Sequence, residues 1–265
     1  MKHRCFTLIE LLVVIAMVAI LLSIIIPVLY SIGQRARAVA CSSNIRQLTR
    51  DLIMYRDKNY AFPYGFRDSF DDAPPSGFPG DASYDRRAWW WFNIMEGYEN
   101  GANKRILQCP SKSLRHPKLT TNILYGNYGV NRSICKSPGD IRKYKKEFVG
   151  APLGPMDIPQ PSRTLLIVDS GYSVISWWHA TEVPPESLDG DRGEDIGYVP
   201  GLKINKDKKN LMLDQKKDAI DGRHPNKTVN VGFSDGAVTR KKADDLLVEK
   251  EGDSYTNKSP LWVPE

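Results

Sequence analysis

An uninterrupted apolar run near the N-terminus constrains the fold more than any other feature of this sequence. Between Leu11 and Tyr30 there are 20 consecutive residues without a charge, and Ser23 is the one polar side chain among them. A helix rises about 1.5 Å per residue, so this run would be about 30 Å long, which is the hydrocarbon thickness of a bilayer. The run therefore predicts a single transmembrane helix.

A cleaved secretory signal peptide is the alternative, because small residues of the kind that signal peptidase accepts follow at positions 36–40, ARAVA. Ordinary signal peptides have an apolar region of only about 7 to 15 residues, and Arg35 and Arg37 crowd this would-be cleavage site. A permanent anchor is favoured for both reasons. Basic residues flank the run on both sides, so counting charges does not place the rest of the chain on one side of the membrane.

The rest of the chain has the size of one soluble domain, roughly 200 residues. Lys and Arg outnumber Asp and Glu by 37 to 31, but the basic clusters alternate with acidic ones. A nucleic-acid-binding surface would need a basic stripe interleaved with aromatic residues, and the sequence has none. We therefore expect a solvated surface and no nucleic-acid partner.

The residues around the start of the apolar run form a recognisable pattern. A short basic leader precedes FTLIELLVVIA at residues 6–16, and the apolar helix that follows contains Pro27. This pattern resembles the prepilin-type N-terminus of type IV pilins and of the pseudopilins of type II secretion systems. In that family a prepilin peptidase cuts on the cytoplasmic side and methylates the new amine. The resemblance implies a leader of residues 1–5 and cleavage between Cys5 and Phe6, although the family normally has Gly where Cys5 stands.

Glu10 is a carboxylate in otherwise apolar sequence, where a charge costs up to about 3 kcal/mol in a bilayer. The resemblance makes Glu10 and Pro27 assembly residues, the fifth and twenty-second of the mature chain. Cleavage creates an ammonium on Phe6 at a similar depth, and in a growing fibre this amine can neutralise the Glu10 of a neighbouring subunit. In low dielectric such a pair also sets the axial register. The alternative is a pair between Glu10 and its own amine, four residues away on one helical face.

Beyond the membrane the helix is expected to continue, because apolar residues recur at steps of three and four from Ala38 to Tyr55. We predict a helix over 6–58, with 6–30 in the membrane and 31–58 packed on a head, 59–265. The expected fold class is α+β: a long N-terminal transmembrane helix that carries a loop-rich head with a small antiparallel sheet. The pilin resemblance implies the same lollipop shape.

Two segments of the head read as strands. Arg163–Gly171, RTLLIVDSG, is a short apolar run that turn residues end, and TVNVGFSDGAVTRK at 228–241 alternates between apolar and polar residues. The second segment predicts a hairpin that places Val229, Val231 and Phe233 on one face. Its turn is expected at Asp235 and Gly236, as a two-residue primed turn with positive φ at both positions.

The same hairpin, with GRHP before it, resembles the H-X9-DG motif found near the C-terminus of many large pseudopilin-like proteins. Ten residues separate His224 from Asp235 here, and we expect the extra residue in the loop 225–227. Further echoes of that family are ARAVACSSNIRQL at 36–48, LQCPS at 107–111 and YGVN at 128–131. No ligand cluster accompanies His224 in the sequence, so we expect it to cap the start of a strand by hydrogen bonds rather than bind a metal.

Catalytic and cofactor-binding motifs such as GxSxG, HExxH or a phosphate-binding glycine loop are absent from the sequence, which predicts neither an enzyme nor a cofactor. The stretch DGDRGED places Asp189, Asp191 and Asp195 at alternating positions, as a calcium loop would. Gly193 and Pro200 stand where an EF-hand has ligands, so a solvated turn is favoured over a calcium site.

The cysteines and tryptophans leave alternatives open. After loss of the leader, Cys41, Cys109 and Cys135 remain, and an oxidising compartment permits one disulfide, either Cys109–Cys135 or Cys41–Cys109. Trp89, Trp90 and Trp91 would form a carbohydrate-stacking surface if they were exposed, but we expect them in the core, as we do Trp177 and Trp178.

Together these features predict a structural, pseudopilin-like subunit of a type II secretion system or of a related pilus-like fibre. Its expected partners are a prepilin peptidase and other pilin-like subunits, and its expected place is the inner membrane, as a single-pass protein with a periplasmic head. The alternative is a single-span exported protein whose head binds carbohydrate or another ligand. Buried tryptophans would favour the fibre subunit.

The processing prediction rests on CFTLIEL at residues 5–11. We expect the mature chain to begin at Phe6 with a methylated amine, as measured by mass spectrometry of the protein isolated from membranes. An intact leader, or an N-terminus near Val39 or Cys41, would contradict the prepilin interpretation in favour of an ordinary anchor or a secreted protein.

Overall fold

The computed structural model describes residues 8–68, 88–95, 105–120, 122–138, 146–182, 196–208 and 211–264. Within them the fold is α+β, as the sequence predicts: one long N-terminal helix leads into a head of mixed helix, strand and loop. The helices are α1 Leu8–Asn59, α2 Trp91–Ile94, α3 Pro117–Thr120 and α4 Leu213–Asp221. The strands are β1 Phe66–Asp68, β2 Ala88–Trp90, β3 Tyr128–Asn131, β4 Leu165–Asp169, β5 Val174–Ile175, β6 Thr228–Phe233, β7 Val238–Lys242, β8 Glu249–Glu251 and β9 Ser254–Thr256.

The N-terminal half of α1 is apolar on every side. The helix has 52 residues and stays helical through Pro27, so at about 1.5 Å per residue it extends about 78 Å. From Leu8 to Ile32 its large apolar side chains are between 44% and 81% exposed. Among the described residues this is the one helix long and apolar enough to cross a membrane, with a mean hydropathy of 3.2 in its most apolar window. These properties fit a membrane-anchored protein.

The C-terminal half of α1 belongs to the core of the head. Its buried residues recur at three- and four-residue steps along one face, and they are Ala38, Cys41, Ile45, Leu48, Thr49 and Leu52. This periodicity confirms the packing face that the sequence predicts. The helix ends at Asn59, one residue beyond the expected boundary.

The central sheet contains five of the described strands in the order β5-β3-β4-β6-β7. Its pairs are antiparallel except for β3 and β5, which run parallel because β5 passes from the end of β4 to the far side of β3. The strand predicted in Arg163–Gly171 is β4, and the predicted hairpin is β6 with β7. Two smaller antiparallel pairs, β1 with β2 and β8 with β9, lie outside this sheet.

The two faces of β6 contact different parts of the protein. Val229, Val231 and Phe233 point to one side and pack in a core cluster with tryptophans of the head, as their alternation predicts. The opposite side faces α1. A Cβ atom built on Gly232 would collide with the side chains of Thr49 and Ile167, so the helix backbone can approach the sheet only because this position is glycine.

The hairpin loop differs from the predicted two-residue turn. Gly236 N–H donates to the Phe233 carbonyl at 3.0 Å, and Phe233 N–H donates to the Ala237 carbonyl at 2.9 Å. The loop therefore has three residues, Ser234 to Gly236, and only Gly236 is left-handed, with φ +97°. A three-residue loop closes with a single left-handed residue, which is why the predicted positive φ at Asp235 is wrong.

The segment before β6, where the sequence comparison with the H-X9-DG motif places one additional residue, has an irregular backbone. Asn226 and Lys227 both have positive φ, 59° and 52°. Their short 3₁₀ turn, Pro225–Lys227, separates His224 from the first residue of β6.

Gly232→Ala tests the close contact between α1 and the sheet. The added methyl group overpacks this contact, and we expect a loss of about 1 to 3 kcal/mol in the free energy of unfolding. The measurement is denaturant unfolding of the full-length protein in detergent, followed by tryptophan fluorescence. Gly33→Ala is the matched control, because a Cβ at Gly33 meets nothing within 4 Å. Equal stability of the two variants would contradict the close packing.

Candidate functional site

Two places in the described part of the chain carry ionisable side chains in otherwise apolar surroundings. The first is the N-terminal segment, where Glu10 lies in the first turn of α1, exposed among exposed apolar residues. The second is a buried cluster in the head. Several predicted site residues lie outside the described residues, namely Cys5, Phe6, Asp189, Asp191, Asp195 and the side chain of Trp89.

The buried cluster consists of Cys41, Cys109, Asp169 and His224, and their candidate ligand atoms all lie within 4.8 Å of one another. Each residue comes from a different part of the chain. Cys41 lies on the buried face of α1, Cys109 follows a turn in the LQCPS segment, and Asp169 is the last residue of β4. His224 comes two residues after the glycine that ends α4, Gly222, which has φ +76°.

The four side chains contact one another directly. The Cys41 and Cys109 sulfurs are 3.4 Å apart, and the Cys41 thiol donates to Asp169 Oδ1 at 3.0 Å. His224 Nε2 is 3.1 Å from Asp169 Oδ2. The other ring nitrogen, Nδ1, is buried without a hydrogen-bond partner among the described residues. All four residues are at most 4% exposed.

Burial and the neighbouring side chains shift the pKa values of the four cluster residues in different directions. Burial lowers the pKa of His224, but the adjacent Asp169 carboxylate outweighs burial and raises it to about 9. Burial alone would raise the pKa of Asp169, and His224 instead holds it below its usual value. Burial raises the pKa of the Cys41 thiol. Against burial, the neighbouring Cys41 and His224 side chains lower the pKa of Cys109 to about 6.

Backbone and amide groups hold the cluster residues in place. Asn230 donates to Asp169 Oδ2 from its backbone N–H at 2.6 Å and from its side-chain amide at 3.1 Å. Asn127 Oδ1 accepts the backbone N–H of Cys109 at 3.0 Å. These contacts orient one carboxylate and one sulfur toward the centre of the cluster.

A buried ion pair stabilises the segment that carries His224. Arg223 contacts Asp218 at 2.7 Å, and both side chains are fully buried. Burial would lower the pKa of Arg223, but the Asp218 carboxylate raises it well above its usual value. Arg223 also donates to the carbonyls of Asn127 and Ser170. Asn127 is the residue whose side chain binds the Cys109 backbone, and Ser170 directly follows Asp169. One guanidinium thereby links three of the four cluster segments.

The structure places the cysteines and His224 in contacts that the sequence does not reveal. Of the two pairings left open by the sequence, the structure brings together Cys41 and Cys109, as free thiols. Cys135 is a third free, buried thiol. His224 does hydrogen bond beside the start of β6, but its partners are Asp169 and the side chain of Asn230. The expectation that no ligand cluster surrounds His224 is wrong, because the fold supplies one.

The tryptophans lie in the core, as predicted. Trp90 and Trp91 are 4% and 1% exposed, and the Trp91 indole donates to Ser173. Trp177 and Trp178 both donate to the same oxygen of Glu147, at 3.0 and 3.1 Å. None of these four indoles is available as a stacking surface.

Sequence reasoning missed Asp169 altogether, since nothing distinguishes it from any polar residue that ends a strand. The available signal was the family echo, because Cys41 and Cys109 lie in ARAVACSSNIRQL and LQCPS and His224 lies in GRHP. Donors of this kind, two thiols, an imidazole and a carboxylate, are those that transition metals prefer.

Comparison with known proteins gives one finding at the N-terminus. The family model described as the prokaryotic N-terminal methylation motif matches residues 1–26. Neither the curated proteins nor the solved structures give a match. The match and the long apolar helix support a type IV pilin-like protein processed by prepilin peptidase. The match ends at residue 26 and does not reach the head, so the H-X9-DG resemblance stays a hypothesis.

Asp218→Asn tests the ion pair behind the cluster. It leaves the Arg223 charge buried and uncompensated, and we expect a loss of about 3 to 5 kcal/mol in the free energy of unfolding. Glu249→Gln is the control, because Glu249 pairs with Lys203 at the surface, where both side chains are more than half exposed. An exposed pair contributes about 0 to 1 kcal/mol. Similar losses in denaturant unfolding would show that the buried pair does not hold the segment.

Proposed function

We propose that the protein is a subunit of a pilin-like fibre, a pseudopilin of a type II secretion system or of a related assembly. Prepilin peptidase removes residues 1–5, α1 anchors the chain in the inner membrane, and the head lies on the periplasmic side. The observation that carries this proposal is the apolar, exposed half of α1, which lies within or next to the methylation motif and holds Glu10.

The exposed half of α1 needs a cover. From Leu8 to Ile32 its large apolar side chains are at least 44% exposed in the part of the chain that the structure describes, and this surface is too large to remain in water. Lipid covers it in the unassembled subunit. In a fibre the same surface packs against the corresponding helices of neighbouring subunits, so one segment serves both the membrane and the assembly.

Glu10 gives this apolar packing a specific register. Its carboxylate lies on α1 among exposed apolar side chains. A carboxylate within packed apolar helices requires a positive partner. The amine that cleavage creates on Phe6 of the neighbouring subunit supplies one. Because only one axial offset brings the two charges together, the pair selects the helical rise of the fibre.

The alternative from another class receives less support. A carbohydrate-binding head would need exposed aromatic rings, whereas Trp90, Trp91, Trp177 and Trp178 are at most 6% exposed. Catalysis by the buried cluster would need access for a substrate, and its four residues are as buried as these tryptophans. A structural subunit without enzymatic activity fits both observations.

Glu10→Leu tests the docking role. The variant is more apolar, so it should insert and be cleaved like the wild type, but it lacks the partner for the incoming amine. We expect at least a tenfold loss of co-purification between the tagged variant and an untagged wild-type copy, corresponding to about 1.4 kcal/mol or more. Membrane insertion and the mature mass are measured on the same preparation.

Ser23→Leu is the matched control for this experiment. It makes the same kind of change in the same exposed segment, and the Ser23 hydroxyl bonds only its own helix, at the Ile20 carbonyl, 2.7 Å away. This control should co-purify like the wild type. If Glu10→Leu assembles as well as Ser23→Leu, the docking role of Glu10 is wrong.

A further inference from the structure

We propose that Cys41, Cys109, Asp169 and His224 form a closed structural Zn²⁺ site that fastens the head to α1. The site is independent of the proposed fibre function, since it concerns how the head is held on its own helix. Three of its ligands come from the head and one from α1.

The donor set matches zinc. Structural zinc sites take four protein ligands, drawn from cysteine thiolates, histidine nitrogens and carboxylate oxygens, in a tetrahedron. Bond lengths of about 2.0 to 2.3 Å give such a tetrahedron edges of about 3.3 to 3.8 Å. Three contacts are close to this length: 3.4 Å between the two sulfurs, 3.0 Å from Cys41 Sγ to Asp169 Oδ1 and 3.1 Å from Asp169 Oδ2 to His224 Nε2. With one ligand atom from each residue, all separations are at most 4.8 Å, so small side-chain shifts would bring the four atoms around an ion.

Four side chains that can bind a metal are buried together at this point, and three of them, Asp169 and the two cysteines, become anionic when they do so. Ionisable side chains are rarely fully buried unless they are paired or coordinate a metal. Asp169 is 0% exposed, and its carboxylate contacts both His224 and the Cys41 thiol. A divalent ion would offset two of the three negative charges that the carboxylate and two thiolates carry, and the two donors from Asn230 face the carboxylate as well.

The surroundings resemble the outer shell of a metal site. Ligating carboxylates and histidines are usually oriented by further hydrogen bonds. Asp169 accepts two donors from Asn230, and Asn127 fixes the backbone of Cys109. Arg223, which is paired with Asp218, donates to the carbonyls of Asn127 and Ser170. These contacts hold the Asp169 carboxylate and the Cys109 backbone in place without using either sulfur.

The site is structural rather than catalytic because all four positions of the tetrahedron come from the protein. Catalytic zinc keeps one position for water or substrate, and these residues are at most 4% exposed. A disulfide between Cys41 and Cys109 is the competing fate of the two sulfurs. It would leave the convergence of Asp169 and His224 on them without a reason, so the geometry favours the ion.

Metal analysis of the full-length protein in detergent tests this proposal. Cells are grown with added zinc, and the protein is purified without chelator or reductant. We expect about one zinc per chain in the wild type, the stoichiometry of a single four-ligand site. Cys109→Ser should lower the content at least tenfold, which is the scale on which site residues control affinity. Cys135→Ser is the matched control, because Cys135 is an equally buried thiol outside the cluster, and it should keep the zinc.

A spectroscopic measurement on the wild type keeps the test decisive even if Cys109→Ser fails to fold. After chelation, Co²⁺ should restore the lost melting temperature and give both thiolate-to-cobalt charge-transfer absorption and the intense visible bands of tetrahedral cobalt. Alkylation of the denatured protein without reductant should modify both Cys41 and Cys109. A peptide linking Cys41 to Cys109 by a disulfide, a zinc content below about a tenth per chain, a different stoichiometric ion, or zinc retained by Cys109→Ser would each overturn the proposal.

Discussion

The structure of the head depends on the contact between one face of α1 and the central sheet. Ile45 and Thr49 approach β6 where Gly232 has no side chain. The helix thereby covers a sheet face that would otherwise be exposed to solvent. The opposite sheet face packs on the tryptophan-rich cluster. The sheet thus has apolar cover on both sides, and one of its two covers is a segment that begins in the membrane. Removing α1 at residue 59 would expose half of the core.

Polar groups inside this core are placed where several chain segments meet. Asp169 and His224 lie between α1 and the strands, and the Asp218–Arg223 pair lies immediately behind them. Buried charges cost several kcal/mol each unless their partners are well placed. Asp218 and Arg223 lie close together at the end of α4, but Asp169 and His224 come from β4 and from the segment before β6, and Cys41 comes from α1. The network is therefore complete only when these segments have adopted their native positions. Such a network makes the arrangement of segments specific, whereas apolar packing alone tolerates alternatives.

The sequence predicts those elements whose signal is local. The apolar run, the three- and four-residue recurrence after Ala38, the apolar strand before Asp169 and the alternation around Val231 each reflect which side of an element is buried. The loop at Gly236 shows the limit of such signals, since an Asp-Gly pair suits both two- and three-residue loops, and the backbone hydrogen bonds decide between them. The buried cluster lies beyond this limit. Its directly contacting residues are 55 to 128 positions apart, and only the strand order brings them together.

The continuity of α1 makes the chain a torsionally stiff rod with a fixed rotational phase. Glu10 and Cys41 lie on the same uninterrupted helix, about 46 Å apart along its axis at about 1.5 Å per residue. Each residue turns the helix by about 100°. A single-residue insertion between residues 31 and 38 would therefore swing the head about 100° around the axis while the membrane half stayed in place. In a bundle of such helices, the rotation of each head about the axis of α1 is therefore set by the number of residues between Glu10 and Cys41.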